Sequence, residues 1–179
     1  MKITRSHFKK LLAGSAIALG MSMVGGPQAE AAFRTAPLVI SADVVAACTI
    51  TAAGLNFGTY DVTALVADTT TGTVTVNCST GAPVLVDLDE GAFAAGASTP
   101  AAPLRNMDAG TTTPLPYKLS SVSSGGAEWG AGDPLALGSG VPRSGTGADD
   151  VLTVFGQIDP GQLVLSGNYS DIVTATVTY

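Results

Sequence analysis

Apolar and polar residues alternate along residues 38–50, where every even-numbered position is apolar. The apolar positions are Leu38, Ile40, Ala42, Val44, Ala46, Cys48 and Ile50. Several odd positions are polar, including Ser41, Asp43 and Thr49. A period of two is typical of a strand with one buried face. We therefore predict a strand over these residues, with Cys48 pointing inward.

Similar runs of β-forming residues recur along the chain, separated by clusters of Gly, Pro, Asp and Ser. They predict further strands at residues 55–60, 72–78, 84–88, 115–119, 151–158 and 169–179. No amphipathic helix longer than two turns is convincing. This pattern favours an all-β protein folded as an antiparallel β-sandwich. Residues 91–113 and 125–149 lack a periodic face, and we interpret them as surface connections.

The final predicted strand ends at the last residue of the sequence. Its inward face comprises Tyr169, Val173, Ala175, Val177 and Tyr179. Serine and threonine residues alternate with these positions, as expected for a strand with one exposed face. If the sandwich needs another strand beside this one, we expect a different segment to supply it.

The first residues have the organisation of an export signal. A basic region with Lys2, Arg5, Lys9 and Lys10 precedes an apolar core of fourteen residues, and Ala29-Glu30-Ala31 fits a small-x-small cleavage site. A membrane span needs about 20 apolar residues, so this core is too short. We predict a cleaved signal peptide over residues 1–31, with a retained signal anchor as the alternative.

Cleavage leaves a strongly acidic chain. Residues 32–179 contain four basic and thirteen acidic side chains, a formal charge of −9. No basic patch is available to neutralise phosphates, so we do not expect a nucleic-acid partner. The only histidine, His7, leaves with the signal. Without an imidazole base, nucleophilic triads and histidine-based zinc sites are excluded, and we expect no enzyme, metal or cofactor.

Two cysteines remain in the exported chain. Cys48 and Cys78 share the inward phase of their predicted strands. Because exported proteins mature in an oxidising compartment, we predict one disulfide between them.

The acidic and aromatic residues have structural interpretations. Asp87 and Asp89 alternate with Val86 and Leu88, so we place both carboxylates on the solvent side of a strand. The aromatic residues Phe57, Tyr60, Tyr117, Trp129, Phe155, Tyr169 and Tyr179 fall in strand-like contexts. We assign them to the core. A carbohydrate- or Ca²⁺-binding module using Trp129 and the acidic loops is kept as an alternative.

Together, several motifs resemble the spore coat protein U domain family. They include Cys48-Thr49-Ile50, Leu55-Asn56-Phe57-Gly58-Thr59-Tyr60-Asp61, Leu115-Pro116-Tyr117-Lys118-Leu119, Trp129-Gly130 and Pro160-Gly161-Gln162. The resemblance spans residues 46–179. It implies a pilin-like subunit with an incomplete immunoglobulin-like sandwich, completed by a strand from a periplasmic chaperone and then from a neighbouring subunit.

The resemblance divides the chain into an N-terminal extension, residues 32–45, and the domain of residues 46–179. Candidate donor-strand residues are Leu38, Val39, Ile40, Ala42 and Val44, and the acceptor groove is expected along the final strand. If the strand predicted from Leu38 belongs wholly to the domain, only residues 32–37 remain as donor. Six residues span at most about 20 Å, which is marginal for lining a groove.

We therefore predict a secreted structural subunit of a chaperone–usher surface pilus that serves adhesion and biofilm formation. The implied partners are a periplasmic chaperone, an outer-membrane usher and neighbouring copies of the subunit. The route is export, periplasmic transit and placement in a cell-surface fibre. The alternative is a spore-coat or extracellular matrix protein whose sandwich completes itself.

Overall fold

The computed structural model of the protein describes residues 32–131 and 140–179. The chain divides into two units, Met1–Ala42 and Asp43–Tyr179. In the first unit, residues 32–42 are exposed and contain neither helix nor strand. The predicted signal peptide lies outside the described residues. All strands named below belong to the second unit.

The second unit is an antiparallel β-sandwich, as predicted. Its strands are β1 (Cys48–Ala53), β2 (Asp68–Cys78), β3 (Pro83–Leu88), β4 (Arg105–Met107), β5 (Leu115–Ser120), β6 (Val141–Ser144), β7 (Asp149–Ile158) and β8 (Ala175–Thr178). One sheet has the order β1-β2-β7-β5-β4, and the other has the order β6-β3-β8. No helix within the described residues is long and apolar enough to cross a membrane.

The core lies between the two sheets and is built from alternate residues of the longer strands. It includes Val74, Val76, Val84, Val86, Leu88, Leu115, Leu119, Leu152, Val154 and Ile158. Full burial of a side chain of this size contributes roughly 1.5–3 kcal/mol. The strands predicted at residues 72–78, 84–88, 115–119 and 151–158 are confirmed, with extensions of one to four residues at some ends.

Three predicted strands were wrong in extent or existence. The strand predicted over residues 38–50 begins only at Cys48 and continues to Ala53. Residues 55–60 form no ladder, and the final strand is confined to β8 with an isolated bridge at Ser170. Alternation of apolar and polar residues predicts which face of a strand is buried. It does not predict whether a neighbouring strand is available to form a hydrogen-bonded ladder.

Two short strands occur where we predicted only surface connections. β4 is three residues long and β6 is four residues long. Both are edge strands, at the ends of the five-stranded and three-stranded sheets respectively. Strands this short, with Arg, Asn, Pro or Ser at most positions, carry no apolar period that sequence reading can detect.

Candidate functional site

A disulfide fixes the first strand of the domain. Cys48 lies directly opposite Cys78 in the β1–β2 ladder, and the two Sγ atoms are 2.08 Å apart. The predicted disulfide is confirmed. It attaches β1, an edge strand with β2 as its neighbour in the sheet, to that long second strand.

One side of the sandwich is open between β1 and β8. β1 is an edge of the larger sheet and β8 is an edge of the smaller one. Cα atoms of the two strands come within 8 Å of each other, but no ladder joins them. Each strand therefore presents one unpaired row of backbone N–H and C=O groups within the part of the chain that the structure describes. Such edges are templates for the addition of another strand.

Apolar side chains line this open side and are only half-buried. Ile50 projects from β1, and Ala175 and Val177 project from β8. In the β3–β8 register, Ala175 lies opposite Leu88 and Val177 opposite Val86, so the exposed edge leads directly into the core.

The residues predicted for the acceptor groove are mostly inward-facing. Tyr169, Val173, Ala175 and Val177 are half-buried and pack against the core, as their alternation indicated. Tyr179 differs, because 57% of it is exposed. It follows the end of β8 and has no opposite residue in the β3 ladder, so its assignment to the core was wrong.

Side chains anchor the segment that leads into β8. Asp171 Oδ1 accepts a hydrogen bond from the Ala92 N–H at 2.9 Å, and Asp89 Oδ1 accepts one from the Thr174 N–H at 2.9 Å. Tyr117 Oη donates to Asp171 Oδ2 at 2.6 Å. Burial, followed by this hydrogen bond, raises the pKa of the Tyr117 phenol. The phenol therefore stays a neutral donor, and the terminal segment is held at several points.

At and beyond the Val86 end of the β3–β6 ladder, two buried side chains bond to carbonyl groups of β3. Trp129 Nε1 donates to the Val86 carbonyl at 3.0 Å, and Arg105 donates to the Leu88 carbonyl at 3.2 Å. Both side chains belong to residues that are 1% exposed. This position places Trp129 in the core, as predicted, and leaves its ring unavailable for stacking on a ligand.

Sequence reading missed the buried Arg105. Its guanidinium also forms an ion pair with Glu128 Oε2 at 3.1 Å and donates to the Trp129 carbonyl at 2.6 Å. Burial lowers the pKa of Arg105, while Glu128 opposes this shift. Burial likewise raises the pKa of Glu128. The only sequence signal was that Arg105 is one of four basic residues after the predicted signal peptide.

The acidic residues do not form a metal centre within residues 32–131 and 140–179, where no three potential ligands cluster. Asp89 is exposed, as predicted. Asp87 is only 7% exposed, contrary to the prediction. It belongs to β3, the central strand of its sheet. Alternation distinguishes the two faces of a strand but does not reveal what covers each of them.

The candidate donor residues form an uncovered apolar segment. Leu38, Val39, Ile40 and Val44 are between 84% and 92% exposed, and Ala42 is exposed as well. None of them belongs to a strand. Single exposed apolar residues are ordinary on a protein surface, whereas a continuous exposed run of them is unusual.

Comparison with known proteins identifies the family. Residues 34–176 match the Spore Coat Protein U domain. The chain belongs to this family. Protein U of Myxococcus xanthus is 38% identical over 175 residues, a match that covers 92% of this chain and 96% of Protein U. The matched range contains strands β1 to β7, both cysteines and most of the exposed N-terminal segment.

A solved structure shares the fold of this Spore Coat Protein U domain. It is the crystal structure of the CsuC-CsuE chaperone-tip adhesion subunit pre-assembly complex from archaic chaperone-usher Csu pili of Acinetobacter baumannii. The TM-score is 0.53 at 22% identity, and the match covers 76% of this chain. Our chain spans 40% of the length of that solved chain. The similarity concerns the fold.

Proposed function

We propose that this protein is a secreted structural subunit of a surface fibre assembled by the chaperone–usher route. In this proposal an N-terminal segment of one copy lies along the open side of the next copy. The fibre serves adhesion and biofilm formation, and the subunit performs no catalysis. The observation that carries the proposal is the unpaired edge of β8 beside the unpaired edge of β1.

The donor is the alternating segment of residues 38–44. Added as a strand, it would form main-chain hydrogen bonds with an open edge, and alternate side chains would fill the apolar side of the sandwich. Leu38, Ile40 and Val44 are the large in-phase side chains. At roughly 1.5–3 kcal/mol each, their burial contributes on the order of 5–9 kcal/mol before ordering costs.

The start of β1 at Cys48 leaves a longer segment available as donor than residues 32–37 alone. Because the ladder begins at Cys48, sixteen residues, 32–47, lie between the predicted cleavage site and the domain. An extended segment of that length spans about 50 Å, against about 20 Å for six residues. This reach is ample for a donor strand that covers the half-buried side chains of Val173, Ala175 and Val177.

The proposal implies three kinds of partner. A periplasmic chaperone would cover the open side before assembly, an outer-membrane usher would pass the subunit outward, and neighbouring copies would replace the chaperone. The structural likeness to a chaperone–subunit complex of Csu pili supports the first. The localisation follows as export, periplasmic transit and exposure at the cell surface.

A pair of matched substitutions tests the donor assignment. Ile40→Asp places a charge in the inward phase, and Val39→Asp places the same charge in the outward phase of the same segment. We expect Ile40→Asp to abolish fibres, while subunits still accumulate, and Val39→Asp to assemble normally. Electron microscopy and immunoblotting of sheared surface material measure both outcomes. Equal assembly of the two variants contradicts the donor role.

Deletion of residues 32–39 tests the same role without relying on phase. The shortened chain lacks Leu38 and Val39 but retains the whole ladder from Cys48. We expect a secreted or chaperone-bound subunit that does not polymerise. Fibres of normal length and number from this deletion would defeat the assignment.

A second candidate function is a coat or matrix protein that needs no partner strand. The family name and the near full-length similarity to Protein U favour it. Size-exclusion chromatography of the purified mature chain separates the two candidates. A stable, soluble monomer in the absence of a chaperone supports the coat protein, whereas aggregation or polymerisation supports the fibre subunit.

A further inference from the structure

A cleft of about 260 Å³ opens beside β4 and β5, at the end of the five-stranded sheet opposite to β1. Tyr117 points into the core, so its neighbours in β5, Pro116 and Lys118, project from the outer face. Asn106 of β4 lies directly opposite Pro116 and shares that face. Leu104, Glu128 and Asp159 also line the cleft.

Asn106 lines the cleft with a side-chain amide that has no partner among the described residues. Only 9% of the residue is exposed, and its amide makes no hydrogen bond within residues 32–131 and 140–179. In these same ranges, every fully buried side-chain nitrogen or oxygen has a hydrogen-bond partner. The Asn106 amide has none there, so its atoms are not fully buried and remain accessible from the cleft that the residue lines. The amide can therefore donate and accept hydrogen bonds at the surface of the cleft. A ligand with hydroxyl groups would supply the missing hydrogen bonds.

The charges that line the cleft balance and are already engaged. Arg105 donates to Glu128 and to backbone carbonyls, and Lys118 Nζ contacts Asp159 Oδ2 at 2.8 Å. Glu128 Oε2 accepts from Arg105 and from the Leu119 N–H, whereas Oε1 accepts no hydrogen bond from the described residues. With two cations and two carboxylates, the cleft offers no surplus charge to an ion. Its available groups, the Asn106 amide and Glu128 Oε1, suit a neutral molecule that both donates and accepts hydrogen bonds.

We propose that this cleft binds a single neutral sugar ring, such as one unit of a surface glycan. Hydroxyl groups would bond to the Asn106 amide and to Glu128 Oε1, and a C–H face of the ring would lie on Pro116 and Leu104. The volume is just below the ~300 Å³ typical of the smallest ligand pockets, which suits one ring rather than a longer oligosaccharide. This site does not depend on fibre assembly, because it lies at the far edge of the sheet from β1.

Titration of the mature chain with neutral monosaccharides, followed by protein-detected NMR, tests the site. The probes are glucose, galactose, mannose and N-acetylglucosamine. We expect saturable shifts at millimolar concentrations for at least one sugar, concentrated in residues 104–106 and 116–118. Asn106→Leu should weaken binding about tenfold, the factor that corresponds to one lost hydrogen bond. Asn168→Leu, at an exposed position outside the cleft, should bind as the unmodified chain does.

A second variant guards against a misfolded Asn106→Leu protein. Asn106→Asp keeps the size of the side chain but removes both amide donors, and it should also weaken sugar binding. The NMR spectrum of each variant shows directly whether the chain is folded. Absence of saturable shifts with all four sugars overturns the proposal, as does unchanged affinity in folded Asn106→Leu and Asn106→Asp.

Discussion

The hydroxyl of Tyr117 donates a 2.6 Å hydrogen bond to Oδ2 of Asp171 and so joins the core of the larger sheet to the segment that enters β8. Oδ1 of the same carboxylate accepts from the N–H groups of Ala92 and Ile172. One aspartate therefore holds the terminal segment to two other parts of the chain. β8 is therefore held in a fixed position with one edge unpaired.

We expect Tyr117→Phe to lower the free energy of unfolding by about 1.5–3 kcal/mol, the range for a hydrogen bond to a charged group. The substitution leaves Asp171 Oδ2 without its donor in a partly buried place. Denaturant unfolding of the mature chain measures the change. Tyr179→Phe removes a hydroxyl from a residue that is 57% exposed and should change stability by less than about 0.5 kcal/mol. Equal effects of the two variants would contradict the anchoring role.

Gly91 is required beside this carboxylate. Its φ is +80°, and a Cβ placed there would overlap Asp171 Oδ2. Gly161 has a φ of +73° and open space around it, so it is the matched control. We expect Gly161→Ala to cost about 1–2 kcal/mol from backbone conformation alone. Gly91→Ala should lower the free energy of unfolding distinctly more, because the new Cβ also displaces the Asp171 carboxylate. A thermal midpoint no lower than that of Gly161→Ala would contradict this expectation.

The half-buried Glu128 makes stability depend on pH. Because burial raises the pKa of Glu128 in the folded chain, its protonated form is favoured there relative to the unfolded chain. This contribution is fully present below the unfolded pKa of about 4.3 and is lost as pH rises through the folded pKa.

The thermal midpoint is the measurement for this pH effect. From pH 7 to pH 5, the midpoint of the unmodified chain should gain more, or lose less, than that of Glu128→Gln. Glu90→Gln is the matched control and should follow the unmodified chain. If Glu128→Gln also follows it, the carboxylate of Glu128 does not produce the pH effect.

The disulfide should contribute a large share of the stability. Replacement of Cys48 and Cys78 by serine opens a loop with a sequence separation of 30 residues. In the chain-entropy model this lowers the free energy of unfolding by about 3–4 kcal/mol. Denaturant unfolding with and without a reducing agent measures it. The reductant should destabilise the unmodified chain by a similar amount and leave the double variant unchanged. A loss below about 1 kcal/mol would contradict this estimate.

The strands of the core were predictable because their alternation coincides with real burial. Val74 and Val76 in β2, and Leu152 and Val154 in β7, face inward as their period of two indicates. The disulfide was predictable for the same reason, because Cys48 and Cys78 occupy inward positions of the alternating pattern. These signals are local, so one sequence suffices to detect them.

The remainder could not be predicted because it depends on distant neighbours. Residues 38–47 alternate like a strand but have no ladder partner in the described chain. The buried Arg105 and its partner Glu128 are 23 positions apart, without a local pattern that joins them. Asn106 carries no sequence signal for the cleft, which forms only when β4 pairs with β5.

A cryo-electron microscopy structure of the assembled protein tests the central claim most directly, because it shows which segment lies beside β8. Our account predicts residues 38–44 of one copy in the open side of the next, with Leu38, Ile40 and Val44 directed into its core. The contrary result is an assembly in which the β8 edge is empty, or is covered by a segment of the same copy.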